Sequence, residues 1–192
     1  MANNNKEFEI QGNVEHIDAL LKYLEDNANF KGKSHILDEY FVPQHRNFLD
    51  TKPVEEWLRL RNSEGKQSIT YKRWHYNDKG EGLFADEYES QVEDIGQIKK
   101  IFETLQFKSI LVLDKERKVW ECGEYEIAID DTKGIEEPMV EVEYSGTMDD
   151  YETVNSEMVS FLKKTGSGRI RLNYSGIPII MLFPDEVKYV EV

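Results

Sequence analysis

Of the places along the chain where two like-charged residues flank a single other residue, five stand out: Glu7-Phe8-Glu9, Arg59-Leu60-Arg61, Glu87-Tyr88-Glu89, Lys115-Glu116-Arg117 and Glu141-Val142-Glu143. In a strand, residues i and i+2 share a face about 6.8 Å apart, so each pair becomes two like charges side by side. Acidic pairs present hard oxygen ligands suited to Mg2+ or Mn2+, and Mg2+ commonly takes only one or two carboxylates together with substrate phosphates. Basic pairs present guanidinium forks and a compact ammonium charge to phosphate oxygens. A lone Glu-x-Glu is ordinarily the solvated face of a strand. Five pairs of both signs, on separate strands with mostly apolar opposite faces, point instead to charged faces turned into a shared polar interior. Carboxylates desolvated there need cations to answer them: Arg59, Arg61, Lys72, Lys115 and Arg117, and a bound divalent metal. A metal-bound polyanion fits that arrangement.

The elements that must position these pairs follow from periodicity. Alternation predicts strands over residues 6–11, 33–42, 56–61, 67–75, 83–92, 107–120, 124–131 and 138–145. Helical spacing of apolar residues predicts helices over 14–27, capped by Asn13, from Ile95 to Leu105, capped by Asp94, and over 149–164. Gly12-Asn13 is expected to end the first strand, and residues 177–183 are open to strand or helix. Runs of sequential strands without regular crossover helices argue for an α+β fold with a mainly antiparallel sheet. An eight-stranded antiparallel β-barrel with flanking helices suits it, since such a barrel has room for inward side chains or one small ligand.

Length and composition narrow the function classes. The 192 residues are expected to form one domain, 1–192, and Lys plus Arg number 24 against 38 Asp plus Glu, a formal charge of −14. That excess argues against a general nucleic-acid or anionic-membrane surface, so any basic site is local. The single Cys122 excludes an internal disulfide framework and a Cys-rich zinc site. No stretch reads as a signal peptide or a membrane span, which makes a soluble, cytoplasmic protein the expectation. Met1 to Asn5 reads as a frayed polar lead-in. His16, His35, His45 and His75 lack metal-ligand spacing, and Trp57, Trp74 and Trp120 read as strand packing or as stacking platforms for a base.

The motifs Glu7-Phe8-Glu9, Asp38-Glu39-Tyr40-Phe41, Leu58-Arg59-Leu60-Arg61, Ile69-Thr70-Tyr71-Lys72, Glu87-Tyr88-Glu89, Lys115-Glu116-Arg117, Ile129-Asp130 and Val140-Glu141-Val142-Glu143 occur in that order. The ordered set, over residues 6–145, resembles the CYTH superfamily of triphosphate tunnel metalloenzymes, which includes class IV adenylyl cyclases, thiamine triphosphatases and inorganic triphosphatases. The resemblance implies an eight-stranded antiparallel tunnel whose inner wall binds a triphosphate and Mg2+ or Mn2+. It makes Glu7, Glu9, Glu141 and Glu143 the metal-side carboxylates. Arg59, Arg61, Lys72, Lys115 and Arg117 become the triphosphate grip. Glu87, Glu89 and Asp130 become the catalytic set, with Glu87 and Glu89 able to join the metal side. The implied substrate is tripolyphosphate, ATP or thiamine triphosphate, the implied reaction hydrolysis or cyclisation, and the expected assembly a monomer or homodimer. One departure stands out: the family opens with Glu-x-Glu-x-Lys, and the third position here is Gln11. Residues 149–192, a helix and a hydrophobic end segment, lie outside the resemblance.

Overall fold

The alternating segments are strands in the computed structural model, which describes residues Lys6–Val192; the lead-in Met1 to Asn5 lies outside them. In chain order the elements are β1 Lys6–Val14, α1 Ile17–Asn27, β2 Asn29–Pro43, β3 Glu56–Ser63, β4 Lys66–Tyr76, β5 Gly82–Gln91, α2 Ile95–Thr104, β6 Phe107–Cys122, β7 Tyr125–Thr132, β8 Met139–Tyr144, α3 Tyr151–Lys164, β9 Ile170–Asn173, α4 Gly176–Leu182 and β10 Tyr189–Glu191. Strand order is β10-β9-β1-β5-β4-β3-β2-β6-β7-β8, and β1 also pairs with β8. β1 to β8 thus form a closed, eight-stranded antiparallel barrel with four flanking helices, as the sequence pattern implied. Among the described residues, no helix is long and apolar enough to cross a membrane.

By its contacts the chain divides into two compact units. The first contains His35–Asp114, with Lys6, and its core explains why the strands alternate. Phe41 and Leu60, on one face of β2 and β3, are buried against Phe102 of α2, with Leu58, Ile69, Ile95, Ile98 and Phe107 packed around them. Phe102 meets Phe41 edge-on at 5.1 Å and stacks on Phe107 at 5.0 Å. The Asp94 side chain caps α2 by accepting from the Gln97 amide, as expected of an Asp at that position. With this face covered by a helix, the intervening residues of β2 to β5 must turn to the other side.

The second unit contains Glu7–Ser34 and Lys115–Val192. Here Phe8 and Ile10 of β1 lie opposite Tyr144 and Val142 of β8, which in turn face Tyr125 and Ile127 of β7. This apolar face is closed by helices: Phe161 of α3 packs on Tyr125 at 5.0 Å and on Tyr23 of α1 at 6.1 Å. Two expectations need correction. Gly12-Asn13 does not end β1, because β9 takes over as its partner there: Gly12 pairs with Val140 and with Leu172. Asn13 is therefore a strand residue, its Nδ2 donating to the Pro138 carbonyl, and α1 starts three residues later than predicted, at Ile17, without a side-chain cap. The C-terminal segment, left open by the sequence, is the short helix α4 between two short strands.

Candidate active site

The polar face of the first unit is built from three rungs of directly opposed residues. One runs Asp38–Arg61–Ser68–Gln91, the next Tyr40–Arg59–Thr70–Glu89, and the third Trp57–Lys72–Glu87. Residues directly opposed in an antiparallel pair share a face, so the expected residues Arg59, Arg61, Lys72, Glu87 and Glu89 do come together. Asp38, with no exposed surface, accepts from Arg61 Nε and Nη2 at 2.7 Å each, a bidentate fork that fixes the guanidinium plane. Arg59 donates through Nη2 to Thr70 Oγ1 at 3.1 Å, and that hydroxyl donates to Glu89 Oε2 at 2.9 Å. Lys72 lies 3.4 Å from Glu87 and 4.8 Å from the Trp74 ring centroid, so its ammonium is held by a carboxylate and an aromatic face. Tyr40 meets Trp57 edge-on at 5.7 Å. Burial first, and then the Asp38 charge, push the Tyr40 phenol up to about 12.

In the second unit the polar face is graded along the strands. Glu9, Glu143, Glu126 and Glu121 form one rung across β1, β8, β7 and β6, followed by Gln11–Glu141–Ala128–Val119, then Met139–Asp130–Arg117, then Thr132–Lys115. Carboxylates thus gather toward one end and cations toward the other. Lys31 meets Glu121 at the acidic end, 2.6 Å away. Asp130, 1% exposed, accepts from Arg117 Nε at 2.6 Å and Nη2 at 2.7 Å and from Lys115 Nζ at 2.7 Å. Its oxygens orient two cations, a geometry parallel to that of Asp38. Arg117 also reaches Glu141 Oε2 at 3.1 Å. Burial works against the Arg117 charge, but Glu141 and Asp130 outweigh it and hold its pKa well above the usual guanidinium value. Gln11 Nε2 donates to the same Glu141 oxygen at 3.1 Å, so an amide fills the position where the family pattern has an ammonium.

A hard divalent cation fits these donors in one particular way. Among the described residues, no three His, Cys, Asp or Glu side chains converge as a ready-made cage. Glu9 and Glu143, however, are directly opposed on one face, with Glu141 one rung away, and all are oxygen ligands. Mg2+ takes few protein carboxylates and completes its shell with water and phosphate, so this set suits a metal that arrives with its substrate.

Three residues escaped notice at the level of sequence. Asp38 and Thr70 lay inside recognised motifs without a role, and Glu126 stands in a further pair, Glu124-Tyr125-Glu126, that was not given one. Period-two alternation counted outward from Arg61, Arg59 and Glu143 across each hairpin would have placed all three on the charged faces. Trp57 and Trp74 share the polar face, whereas Trp120 lies on the other face of β6 and packs on Phe30 at 5.1 Å.

Residues 5–169 match the family model of the CYTH domain. The chain belongs to the CYTH domain family. Members of this family act on triphosphates and depend on divalent metals. A Methanocaldococcus jannaschii protein, named as a candidate adenylate cyclase, is 30% identical over 127 residues, 66% of this chain and 69% of its own. A solved structure from Pyrococcus horikoshii superposes with a TM-score of 0.68 at 21% identity, covering 95% of this chain and 94% of that one. A Hippeastrum structure, described as a candidate adenylyl cyclase with a dominant triphosphatase activity, gives a TM-score of 0.64 at 19% identity, covering 93% and 95%. The two structures share the fold of this CYTH chain.

Proposed function

We propose that this CYTH protein is a metal-dependent phosphohydrolase of inorganic tripolyphosphate or of a nucleoside or thiamine triphosphate. The observation that carries the reading is the pair of buried aspartates, Asp38 and Asp130, each holding an arginine by a two-oxygen fork on a charged strand face. Cations fixed in this way meet phosphate oxygens without reorganising, which is where phosphoryl transfer gains most of its acceleration. Arg59, Arg61, Lys72, Lys115 and Arg117 grip the phosphates. Glu7, Glu9, Glu141 and Glu143 hold Mg2+ or Mn2+, which supplies charge neutralisation at the phosphate oxygens when bound. Glu87 and Glu89 supply the carboxylate that accepts the proton of the attacking water, one of the two taking it in each turnover. Asp130 serves this chemistry by orienting Lys115 and Arg117.

A second reading, a class IV adenylyl cyclase that makes cyclic AMP and pyrophosphate from ATP, is favoured by Asp38-Glu39-Tyr40-Phe41 and by the name of the Methanocaldococcus relative. Gln11 motivates a third, a polyphosphate or nucleotide binder without turnover. Incubation with tripolyphosphate, ATP and thiamine triphosphate, each with Mg2+ and with Mn2+, separates the three. Orthophosphate marks the hydrolase, cyclic AMP with pyrophosphate marks the cyclase, and binding without product marks the binder. If Arg59→Ala and Glu143→Ala leave both binding and turnover unchanged, neither face is the site.

A further inference from the structure

Arg61 is oriented by a direct fork to Asp38, whereas Arg59, two residues earlier on the same face, is oriented differently. Its Nη1 is 3.9 Å from Asp38 Oδ2 and its Nη2 3.8 Å from Glu89 Oε2, both beyond hydrogen-bond reach. Thr70 stands between the two charges. A hydroxyl has one proton to give and lone pairs to accept with. Thr70 Oγ1 gives its proton to Glu89 at 2.9 Å, which leaves a lone pair to accept from Arg59 at 3.1 Å. The side chain is 2% exposed, so water does not compete for either bond. Ser68, one rung away, approaches the same Glu89 oxygen at 3.4 Å.

We propose that Thr70 is a positioning residue for phosphate binding: its hydroxyl couples the Arg59 guanidinium to the Glu89 carboxylate and sets the direction in which Arg59 meets a phosphate oxygen. This rests on the triphosphate reading. Thr70 meets no phosphate oxygen itself, and its effect on phosphate binding passes through Arg59. Its methyl fills buried space, so Thr70→Val removes the hydroxyl at nearly constant shape, and Thr70→Ser keeps the hydroxyl.

The test is the affinity for imidotriphosphate, a non-hydrolysable probe, measured by calorimetry with Mg2+ present. It compares the unmodified protein with T70V, T70S, R59A and the R59A/T70V double variant. T70V is expected to bind about tenfold more weakly, the scale of losing a hydrogen bond to a charged group. T70S is expected to stay within about threefold. In the R59A background T70V is expected to add nothing, which a purely structural role would not produce. T70V binding like the unmodified protein, or losses of T70V and R59A that sum in full, overturn the Thr70 role while leaving the triphosphate reading intact. If the unmodified protein takes up no probe, the triphosphate reading falls and the positioning role falls with it. Thr70→Ala supplies the same comparison should T70V not fold.

Discussion

Arg117 and Glu141 bond at 3.1 Å although a whole strand, β7, runs between β6 and β8. The two residues lie on neighbouring rungs, and the β7 residue on the Glu141 rung is Ala128, 2% exposed, whose single methyl leaves room for the guanidinium to pass. Ala128→Leu fills that room. Overpacking of a close-packed site costs about 1–3 kcal/mol, and the Arg117–Glu141 bond is lost with it. The expected result is a lower urea midpoint together with weaker tripolyphosphate binding; unchanged binding would show that the Arg117–Glu141 bond is dispensable.

Asp38 has no exposed surface and Arg61 is 18% exposed at its side chain, so their fork is shielded from water. Removing one charge of a buried pair leaves the other desolvated and unanswered, at a cost of about 3 kcal/mol. Asp38→Asn is therefore expected to destabilise by about that amount in urea unfolding. Asp130→Asn is expected to do at least as much, because two cations, Lys115 and Arg117, lose their shared partner. A shift below about 1 kcal/mol in either variant would contradict the buried-fork account.

Gly12 sits where β1 exchanges β8 for β9, and a Cβ there would lie 2.3 Å from the Arg171 carbonyl oxygen. The contact is backbone, which cannot rotate away. Gly12→Ala is expected to force β9 from β1 and to destabilise by about 2 kcal/mol. Amide hydrogen exchange gives a sharper check: protection should fall first at Val14 and Leu172, and a uniform loss would point elsewhere.

Two phenols are held in their neutral form. Tyr40 is pushed up to about 12 by burial and Asp38, and Tyr71 to about 12 by burial and by its bond to Glu56. A raised pKa in the folded state means that the folded chain keeps protons the unfolded chain releases. The associated stability is fully present below about pH 10, the unfolded value, and is lost as pH rises toward 12. Absorbance titration at the phenolate band should show late-titrating groups, one removed by Tyr40→Phe and one by Tyr71→Phe. Stability should fall over the same interval, less steeply in either variant.

Charge pairs two residues apart expose a strand and its polar face directly, because the period of two admits no other regular reading over so many segments. Hence Arg59, Arg61, Glu87, Glu89 and the second-unit carboxylates were legible in the sequence. Asp38 and Thr70 were not, since each joins the charged face through register, a relation between strands that a single strand's pattern does not contain. The start of α1 was misread for the same reason. Gly12-Asn13 has the local chemistry of a turn, and only the distant β9 supplies the ladder that keeps β1 extended.

Gln11 faces Glu141 directly across β1 and β8, and its amide nitrogen lies 3.1 Å from the oxygen that also accepts from Arg117. An ammonium can occupy that place: a lysine side chain is slightly longer than glutamine and carries donors only. Gln11→Lys would then share Glu141 between two cations, loosen the Arg117–Glu141 bond and leave the Arg117 guanidinium more available to phosphate. It also adds a positive charge to a face whose end rung carries Glu9, Glu143, Glu126 and Glu121. Both effects favour a bound polyanion, and the expected gain in kcat/KM for tripolyphosphate is about tenfold, the equivalent of one charge-assisted hydrogen bond. Measured with Mg2+ and with Mn2+, a gain in affinity with no gain in turnover would place Gln11 in binding alone. A loss of both would mean that the glutamine amide, not an ammonium, is the group this site is built around.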